Sequence, residues 1–83
     1  EKDYSNCIFI LYNEIKNILI EKIKEKNPSY VYITIGDLKN KALRYLSSDL
    51  QSYAIILYTL VINPEEDELY TLNLLFEIYK QLI

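Results

Sequence analysis

Apolar residues recur every three or four positions along most of this chain, and that spacing predicts amphipathic helices. Between residues 4 and 26 the apolar positions fall on one helical face, which comprises Tyr4, Ile8, Leu11, Ile15, Ile18 and Leu19. A first helix is therefore predicted over this segment. We expect it to end at Asn27, because Pro28 lacks a backbone N–H and disfavours helical backbone at the residue before it.

A second helix is predicted after a short non-helical segment. Residues 29–34 are rich in β-branched and aromatic side chains without a helical period, so we expect a short strand or extended connector there. Thr34 and Asp37 then match a helix-start pattern in which a side-chain oxygen accepts a backbone N–H of the first turn. They predict a second helix that runs to about Leu46.

Similar signals predict two further helices. Ser48 and Gln51 repeat the capping pattern and predict a third helix that runs to about Ile62. Asn63 as a cap and Pro64 at the first helical position, followed by a run of acidic residues, predict a fourth helix. We expect this last helix to run from Pro64 to the C-terminus.

The predicted fold class is all-α: a compact four-helix domain with a short extended segment at residues 29–34 between the first two helices. Eighty-three residues is the size of one small domain, and an apolar fraction of 51% is typical of packed globular proteins. We expect residues 1–83 to form a single helical domain. Because the first residue is not Met, we also expect this domain to be excised from a longer chain.

The composition argues against catalysis. The chain has no histidine, which excludes histidine triads and histidine metal sites, and its one glycine excludes a glycine-rich phosphate loop. Cys7 has no internal partner and is expected to be a small buried residue. We therefore predict a non-enzymatic protein with no catalytic residue, cofactor, metal or small-molecule substrate.

Two further absences bear on location. The longest apolar run, from Tyr53 to Ile62, is well short of the ~20 residues of a membrane span. The first three residues are charged, unlike those of a signal peptide with its apolar segment. We expect an intracellular, cytoplasmic protein that has no membrane partner.

The charge distribution leaves nucleic-acid binding open for the first half of the chain. Residues 1–45 hold eight Lys and Arg against six Asp and Glu, whereas residues 46–83 hold one Lys against six acids. Phosphates would be attracted only by the first half. The candidate contacts are Lys22, Lys24, Lys26, Lys39, Lys41 and Arg44.

The order helix, extended piece, helix, turn, helix over residues 4–62 resembles the winged-helix branch of the helix-turn-helix superfamily. "YVYIT" matches the position of its first strand, "TIGDL" the start of its second helix and "LSSDL" its turn. The resemblance implies a third helix that enters the DNA major groove. This chain departs from the pattern, because the turn lacks glycine and a capped helix stands in place of the wing hairpin.

The third and fourth predicted helices carry more apolar residues than one core face requires. A predicted core face on the third helix comprises Leu50, Tyr53, Ala54, Leu57 and Val61, and the opposite side carries Ile55, Ile56 and Ile62. A predicted core stripe on the fourth helix comprises Leu69, Leu72, Phe76, Tyr79 and Ile83, and a second stripe carries Tyr70, Leu74 and Ile78. Helices that are apolar on both sides are usually buried on both.

Two arrangements would bury these additional apolar residues. Either the third helix is central and the fourth wraps around it, or a protein partner covers the second faces. We predict a protein–protein interaction or oligomerisation module, of the kind used in nucleic-acid-processing or regulatory assemblies, with a protein partner or a second copy. The predicted interface comprises Ile55, Ile56, Ile62, Tyr70, Leu74 and Ile78. The alternative is a DNA-binding helix-turn-helix protein that uses the six basic residues named above.

Overall fold

A computed structural model describes residues 4–83, and this part of the chain contains four α-helices and no β-strand. The helices are α1 (Ser5–Lys26), α2 (Ile35–Tyr45), α3 (Ser48–Ile62) and α4 (Glu68–Leu82). The predicted all-α class is confirmed, and residues 29–34 form a non-helical connector between α1 and α2. None of the four helices combines the length and the apolar character that crossing a bilayer requires.

The start of α2 is built as its sequence predicts. The Thr34 hydroxyl accepts a hydrogen bond from the Asp37 backbone N–H at 3.1 Å, which satisfies one free donor of the first turn. Asp37 also pairs with the Lys41 ammonium at 3.1 Å, one helical turn further on. Local chemistry therefore fixes where α2 begins.

The predicted capping role of Ser48 and Gln51 at the start of α3 is wrong. The residue at the cap position is Ser47, and its side chain makes no capping hydrogen bond. Gln51 instead donates its amide to the carbonyl oxygen of Leu46 at 2.8 Å and to that of Leu43 at 3.4 Å. This side chain satisfies free carbonyls at the end of α2, and so it joins α2 to α3.

The fourth helix begins four residues later than predicted. Asp67, and not Asn63, is the cap, because its carboxylate accepts the Tyr70 backbone N–H at 3.1 Å. Asn63 instead terminates α3, where its N–H bonds the Thr59 carbonyl oxygen at 2.8 Å. Residues 63–67 are therefore the loop that reverses the chain direction between α3 and α4.

Helix α1 is the centre of the domain, because it packs against each of the other three helices. Helix α4 lies beside α1, while α2 packs mainly on α3. The Ser5 hydroxyl donates to the Glu68 carboxylate at 2.8 Å, so the first turns of α1 and α4 are neighbours and the two helices run in the same direction. The arrangement in which α3 is central and α4 wraps around it is therefore wrong.

The core is a single cluster along α1. It contains the buried side chains of Ile15, Leu19, Ile23, Tyr30, Leu38, Ala42, Ala54, Leu57, Leu75 and Ile78. Cys7, by contrast, is exposed near the start of α1, and the expectation that it is buried is wrong. It lies in the first turn of α1, where Ser5, Asn6 and Cys7 are all exposed.

The connector between α1 and α2 alternates like a strand although it pairs with none. Tyr30 is buried and Tyr32 is half-buried, whereas Val31 and Ile33 are exposed. The Lys16 ammonium lies 4.8 Å from the centre of the Tyr32 ring, which fixes this segment along α1. The Tyr30 hydroxyl is buried and has no hydrogen-bond partner.

Two tyrosines of this region ionise only at high pH. Burial raises the pKa of Tyr30 from its ordinary value of 10.0 to about 12, with smaller contributions from Asp37 and Tyr32. Burial also raises the pKa of Tyr12 to about 12, with a contribution from Tyr32. Both pKa values are higher in the folded state than in the unfolded state, so protonation of these two tyrosines stabilises the fold. This contribution to the free energy of unfolding is complete below about pH 10 and is lost as pH rises towards 12.

Replacing Tyr30 with Phe is expected to raise the free energy of unfolding by about 1 kcal/mol, since it removes a buried hydroxyl that has no partner. Urea titration at neutral pH measures this change. The variant should also lose less stability than the wild type between pH 10 and 12. Tyr32→Phe is the control, because this ring is only half-buried, and a change within about 0.5 kcal/mol is expected. A Tyr30→Phe variant less stable than the wild type would show that the hydroxyl has a partner.

Candidate interaction surface

Helix α4 presents one apolar face to α1 and a second one to solvent. Its buried residues are Thr71, Leu75 and Ile78. Three other apolar side chains are exposed at intervals of seven residues: Leu69 (48%), Phe76 (50%) and Ile83 (79%). We call Leu69, Phe76 and Ile83, together with half-buried Leu72 and Tyr79 between them, the α4 face.

The α4 face is the stripe that the sequence analysis assigned to the core. Of the three residues assigned to the second stripe, Ile78 is only 4% exposed and Leu74 is half-buried against the core, whereas Tyr70 is exposed. Thr71 explains the error, because a threonine does not mark a core position in an apolar pattern. Its hydroxyl donates to the Asp67 carbonyl oxygen at 3.3 Å, so it is buried with its hydrogen bond satisfied.

The predicted interface residues are therefore divided by the structure. Ile55, Ile62 and Tyr70 are exposed and remain candidates. Ile56 and Leu74 are half-buried and pack against the core. Ile78 belongs to the monomer core, so its place in the predicted interface is wrong.

A second apolar feature lies where α1 and α4 begin and α3 ends. A cleft of about 370 Å³ separates these segments, and its apolar walls include Ile8, Phe9, Tyr12, Leu60, Val61 and Pro64. Val61, predicted to be a core residue, is exposed and lines this cleft together with exposed Phe9. Sequence analysis missed the cleft because it forms from segments about fifty residues apart in the chain.

The charges are unevenly placed along the direction shared by α1 and α4. The end at which both helices begin carries Glu65, Glu66, Asp67 and Glu68 in succession, and we call it the acidic end. At the opposite end, the last turn of α4 holds Lys80 and the last turn of α1 holds Lys24 and Lys26. We call this the basic end.

The predicted nucleic-acid residues fall into two groups. On α2, Lys39 lies 4.2 Å from the Tyr58 ring centre, Arg44 lies 5.9 Å from the Tyr45 ring centre, and Lys41 pairs with Asp37. The α2 cations are therefore partly engaged within the domain.

The second group lies on the last turns of α1. Lys22 and Lys26, together with the acidic Glu25, border a shallow depression whose other side is the turn between α2 and α3, at Leu46 and Ser47. Lys22, Lys24 and Lys26 form no ion pair with any residue between 4 and 83. The α1 cations therefore offer the more accessible positive charge.

The polar side chains at the start of α3 are also engaged. Gln51 bonds to backbone carbonyls of the preceding helix, and the Ser52 hydroxyl donates to the Ser48 carbonyl oxygen at 3.1 Å. Base-edge recognition in the major groove requires such groups to be free to face the DNA. Asp49, the other polar residue of this turn, has a negative charge that phosphate repels.

Comparison with protein-family models, curated proteins and solved structures found no match for this chain. The resemblance to winged-helix proteins stays a prediction. In the described part of the chain, α4 follows α3 through the loop at residues 63–67, and no hairpin stands in the place of a wing.

The assignment of the α4 faces is tested by the same substitution at two isoleucines of this segment. Ile78→Ala is expected to lower the free energy of unfolding by about 2–5 kcal/mol, because it leaves a cavity against α1. Ile83→Ala should change it by no more than about 0.5 kcal/mol, since that side chain is exposed. Urea denaturation at low protein concentration measures both. Equal losses would mean that the face toward α1 is misassigned.

Proposed function

We propose that this chain is a non-enzymatic protein–protein interaction or oligomerisation module, and that the α4 face is its binding surface. The observation that carries the proposal is the exposure of Leu69, Phe76 and Ile83 in one line on a helix whose other apolar side is already buried. A single exposed apolar residue is ordinary on a protein surface, whereas an aligned set indicates an interface.

The energy available at this face suits a protein partner. Completing the burial of a half-exposed large apolar side chain contributes roughly 1 kcal/mol, at ~25 cal/mol per Å² of apolar surface. Half-buried Tyr79 within this face supplies an aromatic side chain with a hydroxyl, a type that is common in binding hot spots. Exposed Val61 and Phe9 extend the apolar surface around the acidic end.

The chemistry of the cleft supports a non-enzymatic role. Its walls are mostly apolar, and Tyr12 among them, whose pKa burial raises from 10.0 to about 12, is protonated at neutral pH. A protonated phenol of this kind does not act as a general base near pH 7. The chain also has no histidine that could act as the general base.

The proposal is tested by placing a photo-cross-linking amino acid at Phe76 in cells that produce the protein. We expect it to cross-link to another protein chain, whether a second copy or a different protein, because this side chain would lie inside the interface. The matched control carries the same group at Asn40, an exposed polar position on α2, and should give little cross-linking. The proposal that the α4 face binds a protein would be contradicted if position 76 gave no cross-linked chain, or if positions 76 and 40 gave equal yields.

The sequence analysis also proposed duplex DNA binding, and one observation supports that alternative. Helices α2 and α3 are joined by the short turn at Leu46 and Ser47, and the unpaired Lys22 and Lys26 flank it. Such cations can neutralise phosphates whatever the base sequence. The proposal therefore concerns contacts with the DNA backbone through the end of α1.

Duplex binding is tested by fluorescence anisotropy over a range of salt concentrations. If the alternative holds, Lys22→Ala with Lys26→Ala should reduce the slope of log K against log salt by about 2, since each phosphate contact contributes about 0.9. The pair Lys39→Ala and Lys41→Ala is the control and should change the slope less, because these cations interact within α2 and α3. Absence of binding by the wild type at low salt would remove this alternative.

A further inference from the structure

The identity of the partner at the α4 face follows from its spacing and from the charges at its ends. We propose that a second copy of this chain covers it, with the two α4 helices antiparallel and a two-fold axis beside Phe76. This inference rests on the proposed function and specifies its partner.

The spacing along α4 is that of a helix that packs against another helix. Its five residues, Leu69, Leu72, Phe76, Tyr79 and Ile83, are separated by three, four, three and four positions. This is the heptad pattern in which two helices interlock their apolar side chains. The pattern runs from the first turn of α4 to the residue that caps its end, and Leu69, Phe76 and Ile83 stay exposed although Tyr79 also packs against the core.

The same spacing is self-complementary. Phe76 lies seven residues from Leu69 and seven from Ile83, so it marks the centre of the stripe. A two-fold rotation at Phe76 places Leu69 of each copy beside Ile83 of the other and brings the two phenyl rings together. A two-fold interface requires one patch that matches itself in this way.

The charges decide between the two possible directions. In a parallel pair the acidic ends, each with Glu65, Glu66, Asp67 and Glu68, would lie side by side and repel. In an antiparallel pair the acidic end of one copy faces the last turn of α4 of the other, where Lys80 and Glu77 offset each other, so this repulsion is absent. The helix dipoles favour the same choice, because α1 and α4 already run parallel within each copy.

The edge of the face also suits this contact. Lys80 pairs with Glu77 at 3.1 Å and lies 5.5 Å from the Phe76 ring centre, so polar groups border the apolar line on one side. An apolar centre with a polar border is the usual anatomy of a specific interface. A fifteen-residue helix is only about 22 Å long. The interface area that two such helices bury is therefore at the low end for stable complexes, and we expect a reversible dimer.

The oligomeric state tests the proposal first. Sedimentation equilibrium between roughly 10 μM and 1 mM should show wild-type mass rising from 9.9 kDa towards twice that value. Phe76→Glu should weaken the association at least about tenfold, because two carboxylates would meet at the axis. Asn73→Glu adds the same charge at an exposed neighbouring position of α4 and should weaken it less. Circular dichroism should show that both variants keep the helical fold.

The direction of the helices is tested by single cysteines in a Cys7→Ser background, joined by a short bifunctional thiol reagent. Phe76→Cys should cross-link to itself across the two-fold axis. Leu69→Cys and Ile83→Cys should each remain monomeric alone and should cross-link to one another when the two proteins are mixed. Self-linkage of Leu69→Cys would indicate a parallel pair and would overturn the antiparallel arrangement.

The outcomes separate this inference from the proposed function. A wild-type chain that stays at 9.9 kDa up to about 1 mM overturns the second copy as partner. If position 76 still photo-cross-links to a different protein in cells, the interaction module stands without the homodimer. A monomer without any photo-cross-link contradicts both.

Discussion

The fold depends on covering the apolar stripe of α1. Ile15, Leu19 and Ile23 are fully buried along it, and each of the other helices contributes side chains to that one cluster. A domain of this size has no second core, so every helix must be held by its contact with α1 or with a neighbour already there. Helix α4 is held chiefly by α1, which leaves Leu69, Phe76 and Ile83 exposed.

The same constraint explains why the domain has apolar residues to spare. Helices α2 and α3 pack on each other as well as on α1, yet α3 still exposes Ile55, Val61 and Ile62. On α4, three buried residues complete the core, and five more of the heptad spacing lie beside them. The surplus that the sequence shows on two helices therefore remains on both, and on α4 the exposed residues lie in one line with heptad spacing.

A feature could be predicted from the sequence when the residues that determine it lie close together along the chain. The start of α2 was predicted correctly because Thr34 and Asp37 lie within one turn of each other. The start of α4 was not, because Pro64 fits a loop as well as a first helical turn, and the cap at Asp67 decides between them. The two stripes of α4 were both visible, but most of their residues were assigned to the wrong side, since the sides depend on how α4 meets α1 and on the burial of Thr71.

The hydrogen bond between Ser5 and Glu68 joins the first and the last of the four helices, and this has a consequence for synthesis on the ribosome. Helix α1 is made first, but the side chains of α4 that complete its cover are made last. While the chain is nascent, α1 and the α2–α3 pair can associate, yet part of the α1 stripe stays open until Leu75 and Ile78 have emerged. The final packing step therefore follows the synthesis of the other three helices, and a chaperone that binds apolar helices would find its target during that interval.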